Sequence, residues 1–206
     1  MSTVVLDYGL GNIGSIQNML RKIGHTATLS CSPEVIKNAD RLILPGVGSF
    51  DAGMAKLEEY GLVELLNDEV VIKKKPILGI CLGMQLLMNR SDEGKRNGLS
   101  FIPGSAVRFK ADELGDRKKV PHMGWNFVRP ENKTALFTGV DERSKFYFVH
   151  SYYASVEDKY IISSTDYGKT FASAIGNDNI LGVQFHPEKS HKHGMALLKN
   201  YVENYG

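Results

Sequence analysis

The chain has 206 residues, 42% of them hydrophobic and 23% charged, and its 25 basic and 23 acidic side chains leave a formal charge of +2. That is the composition of an ordinary globular protein, long enough to bury a core without metal or disulfide staples. The near balance of charge argues against nucleic acid and anionic membrane as partners. No apolar run approaches the ~18 residues needed to cross a bilayer. The opening Met1-Ser2-Thr3-Val4-Val5-Leu6-Asp7 lacks a basic segment ahead of an apolar one, and there are only two cysteines, Cys31 and Cys81. A reduced cytoplasmic protein without metal or cofactor is the expectation.

Val4-Val5-Leu6 reads as a first strand. Ile13, Ile16, Leu20 and Ile23 share one helical face, and Gly24 ends that helix. Arg41-Leu42-Ile43-Leu44-Pro45 predicts the next strand. Leu62, Val63, Leu65, Leu66 and Val70 predict a helix running toward Lys73-Lys74-Lys75, a cluster read, like Arg117-Lys118-Lys119, as solvated charge. Pro76-Ile77-Leu78-Gly79-Ile80 is a strand without polar alternation, expected to be covered on both faces as in a parallel sheet. Helical spacing follows over 82–89. In the second half, 146–154, 160–165, 170–175 and 180–185 are strand-like, with turn signals at 166–169 and 176–179. A helix from about Gly194 to Tyr205 closes the chain. The expected fold is a single α/β domain: a central, mostly parallel twisted sheet flanked by helices, with antiparallel strands added in the C-terminal half.

Gly79-Ile80-Cys81-Leu82-Gly83 stands between a buried strand and a helix start, the setting in which a nucleophile is presented on a sharp elbow. The flanking glycines admit the crowded turn. The helix amino terminus favours negative charge on sulfur, and the amides of Leu82 and Gly83 are placed to meet an oxyanion. The competing reading, a packing cysteine between glycines, fits the residues without their context. Cys31 precedes Ser32-Pro33, a helix start, and reads as structural.

A base for that thiol is available in Gly182-Val183-Gln184-Phe185-His186-Pro187-Glu188. Pro187 biases His186 toward extended backbone, where residues two apart share a face about 6.6 Å apart. Glu188 then orients one imidazole nitrogen while the other serves Cys81. His122 and His150 are competitors with no acid two residues away. His25, His191 and His193 read as turn or surface residues.

Together with Pro45-Gly46-Val47-Gly48 after a strand, these elements resemble the class I (triad) glutamine amidotransferases and, within them, the glutaminase subunits of imidazole glycerol phosphate synthase. The resemblance spans nearly the whole chain. It is carried also by Asp7-Tyr8-Gly9-Leu10-Gly11-Asn12, Met84-Gln85, Met123-Gly124-Trp125-Asn126, Val149-His150-Ser151-Tyr152 and Gln184-Phe185-His186-Pro187-Glu188-Lys189-Ser190. It implies that Cys81 attacks the carboxamide of L-glutamine to form a γ-glutamyl thioester, with His186 shuttling the proton. It further implies that Gly48 supplies or withholds an oxyanion amide by a peptide flip, and that Gly46, Gln85, Glu93, Ser151 and Tyr152 hold the substrate. Asn12, Trp125, Tyr147 and Lys189 match interface or gating positions toward a (β/α)8-barrel cyclase subunit that receives the ammonia.

Other readings fit parts of the same sequence. Glu93 in Ser91-Asp92-Glu93-Gly94 reads equally as a solvated loop acid, and Trp125 as core or as a loop edge. Gly9-Leu10-Gly11-Asn12-Ile13-Gly14 has the letters of a dinucleotide loop but no acid ending a second strand. At the level of function, the alternatives are a paralogous glutaminase feeding a surface-sugar amidotransferase and, in another class, a non-enzymatic thiol sensor on the same scaffold.

Overall fold

In the computed structural model, which describes residues 1–115, 119–131 and 134–206, the apolar runs of the first half become parallel strands. β1 (Thr3–Leu6), β2 (Ala27–Ser30), β3 (Arg41–Gly46) and β4 (Ile77–Cys81) alternate with α1 (Ile13–Lys22), α2 (Pro33–Lys37), α3 (Phe50–Glu59) and α4 (Leu62–Leu66). The missing polar alternation has a direct cause. Val4 and Leu6 enter one apolar cluster with Leu42 and Leu44, while Val5 enters the cluster on the other face with Ile43 and Leu78. A strand covered on both sides has no water-facing residue to declare its period.

The second half begins with α5 (Leu82–Leu86), β5 (Arg90–Ser91), β6 (Ser105–Arg108), β7 (His122–Phe127) and β8 (Arg129–Pro130). There follow β9 (Lys145–His150), β10 (Tyr152–Ser155), β11 (Ile161–Tyr167), β12 (Lys169–Asn177), β13 (Ile180–Val183) and α6 (His191–Asn204). Among the described residues the main sheet runs β2-β1-β3-β4-β13-β12-β10-β6-β5. It is parallel from β2 through β13 and antiparallel through β12, β10 and β6. β7 and β9 form a separate antiparallel ribbon. The mixed α/β architecture expected from the sequence is the one found.

Four elements depart from expectation. The helix over 62–70 stops as α4 at Leu66 and continues as a wider π-turn, Asn67–Ile72. That turn carries the buried Glu69, which Lys73 and Lys75 neutralise at 2.8 and 2.7 Å. Two of the three lysines read as solvated are therefore paired with an internal acid; Arg117 and Lys118 of the other cluster lie outside the described residues. The helix over 82–89 ends at Leu86, because the carbonyls of Leu86, Leu87 and Met88 accept from the amides of Leu99, Phe101 and Ser100 instead of continuing the helical ladder. The run 146–154 is two strands in two sheets, β9 on the ribbon and β10 in the main sheet, parted at Ser151. Trp125, read as core or loop edge, lies within a strand, β7. Its polar His122, Gly124 and Asn126 alternate with Met123, Trp125 and Phe127, which are 62%, 46% and 45% exposed.

Candidate active site

β3, β4 and β13 lie side by side and parallel, so their carboxyl ends meet at one edge, the place where open α/β sheets gather ligands. Gly46 pairs with Cys81 and Val183 with Ile80, which sets Gln184 next to Cys81. Cys81 takes φ 56° and ψ −110° at the junction of β4 and α5. A non-glycine residue held there carries about 1–3 kcal/mol of strain, a feature typical of functional turns. The junction is tight because α5 starts against the end of β3. A β-carbon on Gly83 would lie 1.9 Å from the Leu44 carbonyl oxygen. Gly48, two residues past β3, has φ +104° in open space, so conformation rather than crowding favours glycine there.

A cleft of about 350 Å³ opens at this edge, within the usual range for small-molecule sites. Its walls include Cys81, Leu82 and Gln85 from the elbow, Gly48 from the strand beside it, His186, and Glu93, Ser151 and Tyr152 from the opposite side. Gly46 and Gly83 are not among the lining residues. They pack the elbow onto β3, a β-carbon on Gly46 falling 2.8 Å from the Gly83 amide nitrogen. Glu93 is not simply a solvated acid: its Oε2 accepts from the Phe50 amide at 2.7 Å, at the start of α3.

His186 lines the same cleft as Cys81 and is 1% exposed. Its Nδ1 bonds Glu188 Oε1 at 2.8 Å, and Nε2 is buried without a partner among the described residues. Burial alone lowers the imidazole pKa, but the adjoining Cys81 sulfur and Glu188 carboxylate outweigh it and raise it to about 10. The pairing with Glu188 arises differently from the reading of an extended strand. β13 ends at Val183, His186 keeps extended backbone at φ −102° and ψ 95°, and Pro187–Lys189 forms a single 3₁₀ turn that brings the carboxylate back. The His186 amide also donates to the Tyr147 carbonyl at 2.9 Å, tying it to β9.

The remaining histidines separate. His150 also lines the cleft, yet burial and the neighbouring His122 push its pKa down to about 3. It is a neutral donor through Nδ1 to the Tyr152 carbonyl at 2.7 Å, and its Nε2 meets His122 Nδ1 at 2.9 Å. His122 Nε2 in turn accepts from Asn126 at 3.2 Å. Sequence reasoning weighed this pair only as rival bases and missed it as a chain behind the substrate wall. Gln184, read only as part of the histidine motif and given no role, lies between Cys81 and Gln85. Tyr8, fully buried, donates to the Pro45 carbonyl at 2.6 Å; burial and the nearby Cys81 raise its pKa, keeping the hydroxyl protonated.

Of the four expected interface residues, three come together. The Trp125 ring stands 6.0 Å from Tyr147, edge-on, and Lys189 Nζ lies 5.6 Å from the Tyr147 ring. His191, read as a surface residue, stacks on Trp125 at 5.2 Å. Asn12 caps the start of α1, a helix that packs against the turn carrying Lys189. Cys31 is a free, half-buried thiol packed against the core. No described helix is long and apolar enough to cross a membrane.

Known proteins resemble this chain over nearly its whole length. The family model for glutamine amidotransferase class-I matches residues 4–204. Imidazole glycerol phosphate synthase subunit HisH 2 of Methanococcus maripaludis is 54% identical over 200 residues, covering 97% of this chain and 98% of its own. The subunit of the same name from Pseudomonas aeruginosa is 53% identical over 201 residues with the same coverage. Subunit HisH of Syntrophotalea carbinolica is 46% identical over 202 residues, 96% and 98% of the two chains. Among solved structures, a glutamine amidotransferase superposes with TM-score 0.72 at 16% identity, covering 98% of both chains. Another from Thermotoga maritima gives 0.60 at 18%, over 98% of this chain and 83% of that one; at such identities these two speak for the fold alone. With residues 4–204 matched by the family model, this chain belongs to the class-I glutamine amidotransferases.

Proposed function

We propose that this chain is the glutaminase subunit of imidazole glycerol phosphate synthase, releasing ammonia from L-glutamine for a (β/α)8-barrel cyclase in histidine biosynthesis. The observation that carries the reading is the meeting of Cys81 and the Glu188-bound His186 in one cleft at the carboxyl edge of the sheet. The full-length likeness to HisH subunits supports the choice of pathway.

In this reading the Cys81 sulfur attacks the carboxamide carbon of glutamine, and the carbonyl electron pair moves to oxygen, facing the amides of Leu82 and Gly83. A turn of the peptide before Gly48 adds a third donor. His186, holding its proton at neutral pH, gives it to the leaving nitrogen, and ammonia departs from the γ-glutamyl thioester. The neutral imidazole then takes a proton from water as it attacks the thioester, and glutamate is released. Glu188 keeps the imidazole in register throughout. Gln85, Ser151 and Tyr152 line the substrate's side chain, while Glu93 meets its ammonium group. The exposed face of β7, with Met123, Trp125 and Phe127, together with Tyr147 and Lys189, supports a docking surface for the cyclase, since adjoining exposed aromatic and apolar groups mark partner sites.

The test is glutamate release from glutamine, measured with the purified cyclase and its nucleotide ligand. Cys81→Ala abolishes release while complex formation persists; activity surviving that substitution removes Cys81 from its role. The unpartnered chain hydrolyses glutamine slowly, and rapid hydrolysis without a cyclase overturns the gating by Gly48.

A second reading keeps the chemistry and changes the recipient to a surface-sugar amidotransferase. The number 2 in the names of the Methanococcus maripaludis and Pseudomonas aeruginosa relatives, which sets each apart from another subunit of that name, is the observation that favours it. Co-purification separates the two: a cyclase alone supports histidine synthesis, and an additional sugar amidotransferase supports the paralogue.

A further inference from the structure

We infer that the side-chain carboxamide of Gln184 is a catalytic group of this site, donating a hydrogen bond to the Cys81 sulfur whenever that sulfur carries negative charge. The inference rests on the glutaminase reading for its chemistry, but its geometry stands independently. Gln184 is fully buried, so both ends of its amide require partners. Its Oε1 accepts from Gln85 Nε2 at 3.1 Å, and its Nε2 donates to Cys81 Sγ at 3.8 Å. Gln85 thereby decides which end of Gln184 faces the sulfur. Gln85 is itself held by the Tyr152 carbonyl at 3.4 Å, the oxygen that also receives the proton of His150 Nδ1.

Gln184 Nε2 thus donates to the sulfur from one side, while His186 lies close enough for the same sulfur to raise its pKa. An N–H pointed at sulfur matters little to a thioester and much to a sulfur anion. It therefore acts at two moments. Before attack it stabilises the anion whose electron pair forms the new S–C bond. During hydrolysis, water adds to the thioester carbonyl and passes a proton to His186. The C–S bond then breaks, and its electron pair returns to sulfur under the same N–H.

The experiment reads sulfur reactivity rather than turnover. In a Cys31→Ser background, iodoacetamide alkylation of Cys81 is followed by mass spectrometry at neutral pH for the parent and for Gln184→Met, which keeps length and removes the donor. The expected result is about ten-fold slower alkylation in Gln184→Met. Equal rates in a folded variant overturn the inference. The side-chain amide signals of Gln184 in the unsubstituted protein give a second measurement that needs no variant. Alkylation of Cys81 shifts them if they face the sulfur, and unmoved signals overturn the proposal. Slowed alkylation in a chain that never hydrolyses glutamine sinks the glutaminase reading alone; hydrolysis with unchanged alkylation sinks only the role of Gln184.

Discussion

At the scale of single residues the site is built on one backbone distortion. Cys81 at φ 56° is held where only glycine is at ease. Substitution to glycine and to alanine both delete the sulfur, so the difference between them isolates the strain. Cys81→Gly is expected to be more stable than Cys81→Ala by about 1–2 kcal/mol in urea unfolding, both being inactive. Equal stability denies the strain. The three residues proposed as a triad were legible in the sequence, because a cysteine between glycines and a histidine two residues from an acid are local signals. Gln184 and the His122–His150 pair were not. Gln184 and His150 stand inside motifs that draw attention to other residues, and their roles come from contacts across 103 and 28 positions of chain that no local pattern declares.

At the scale of elements, the elbow works because α5 begins in contact with β3. A methyl group on Gly83 meets the Leu44 carbonyl at 1.9 Å, a contact neither backbone can relieve without separating helix from strand. Gly83→Ala is predicted to lower stability by about 3 kcal/mol or more and to abolish the site even where the chain still folds. Circular dichroism melts compared with parent protein check it; a shift under one degree refutes the close approach. Element boundaries were less legible than element types. Phe146, Phe148 and His150 are buried on β9 and Ala154 on β10, with only the half-buried Tyr152 interrupting the period of two, which therefore hardly marks the switch between sheets at Ser151. On β7 the pattern is inverted, with apolar side chains outward, and a rule that turns apolar residues inward cannot find it.

At the scale of the whole molecule, two buried histidines pull stability in opposite directions. An unfolded imidazole titrates near 6.5 and folded His150 near 3, so on acidification the unfolded chain takes up the proton first. Stability is lost as pH falls below about 6.5. Folded His186 keeps its proton to about 10, so its contribution is complete below 6.5 and disappears as pH rises toward 10. The predicted melting temperature falls by about 3 °C per pH unit between 6.5 and 5, above the carboxylate range. His150→Gln flattens that acid limb and leaves the alkaline limb unchanged; an unaltered acid limb shows that His150 does not titrate as described. In the parallel half β1, β3 and β4 were readable from the start, because buried apolar runs have only one common architecture, whereas β2, partly exposed along Ala27–Ser30, gave no such run. The antiparallel half was readable in its hairpins and not in its partners, since turns are local and sheet order is not.

The bond between the His186 amide and the Tyr147 carbonyl has a mechanical meaning. Ser190 reinforces it, accepting from the Tyr147 amide at 3.0 Å and donating to the His186 carbonyl at 2.6 Å. Through these three links the outer ribbon is stitched to the backbone that carries His186, the proposed proton shuttle. A load leaning on the ribbon from outside is thus felt as a displacement of the imidazole, with no hinge or moving lid required.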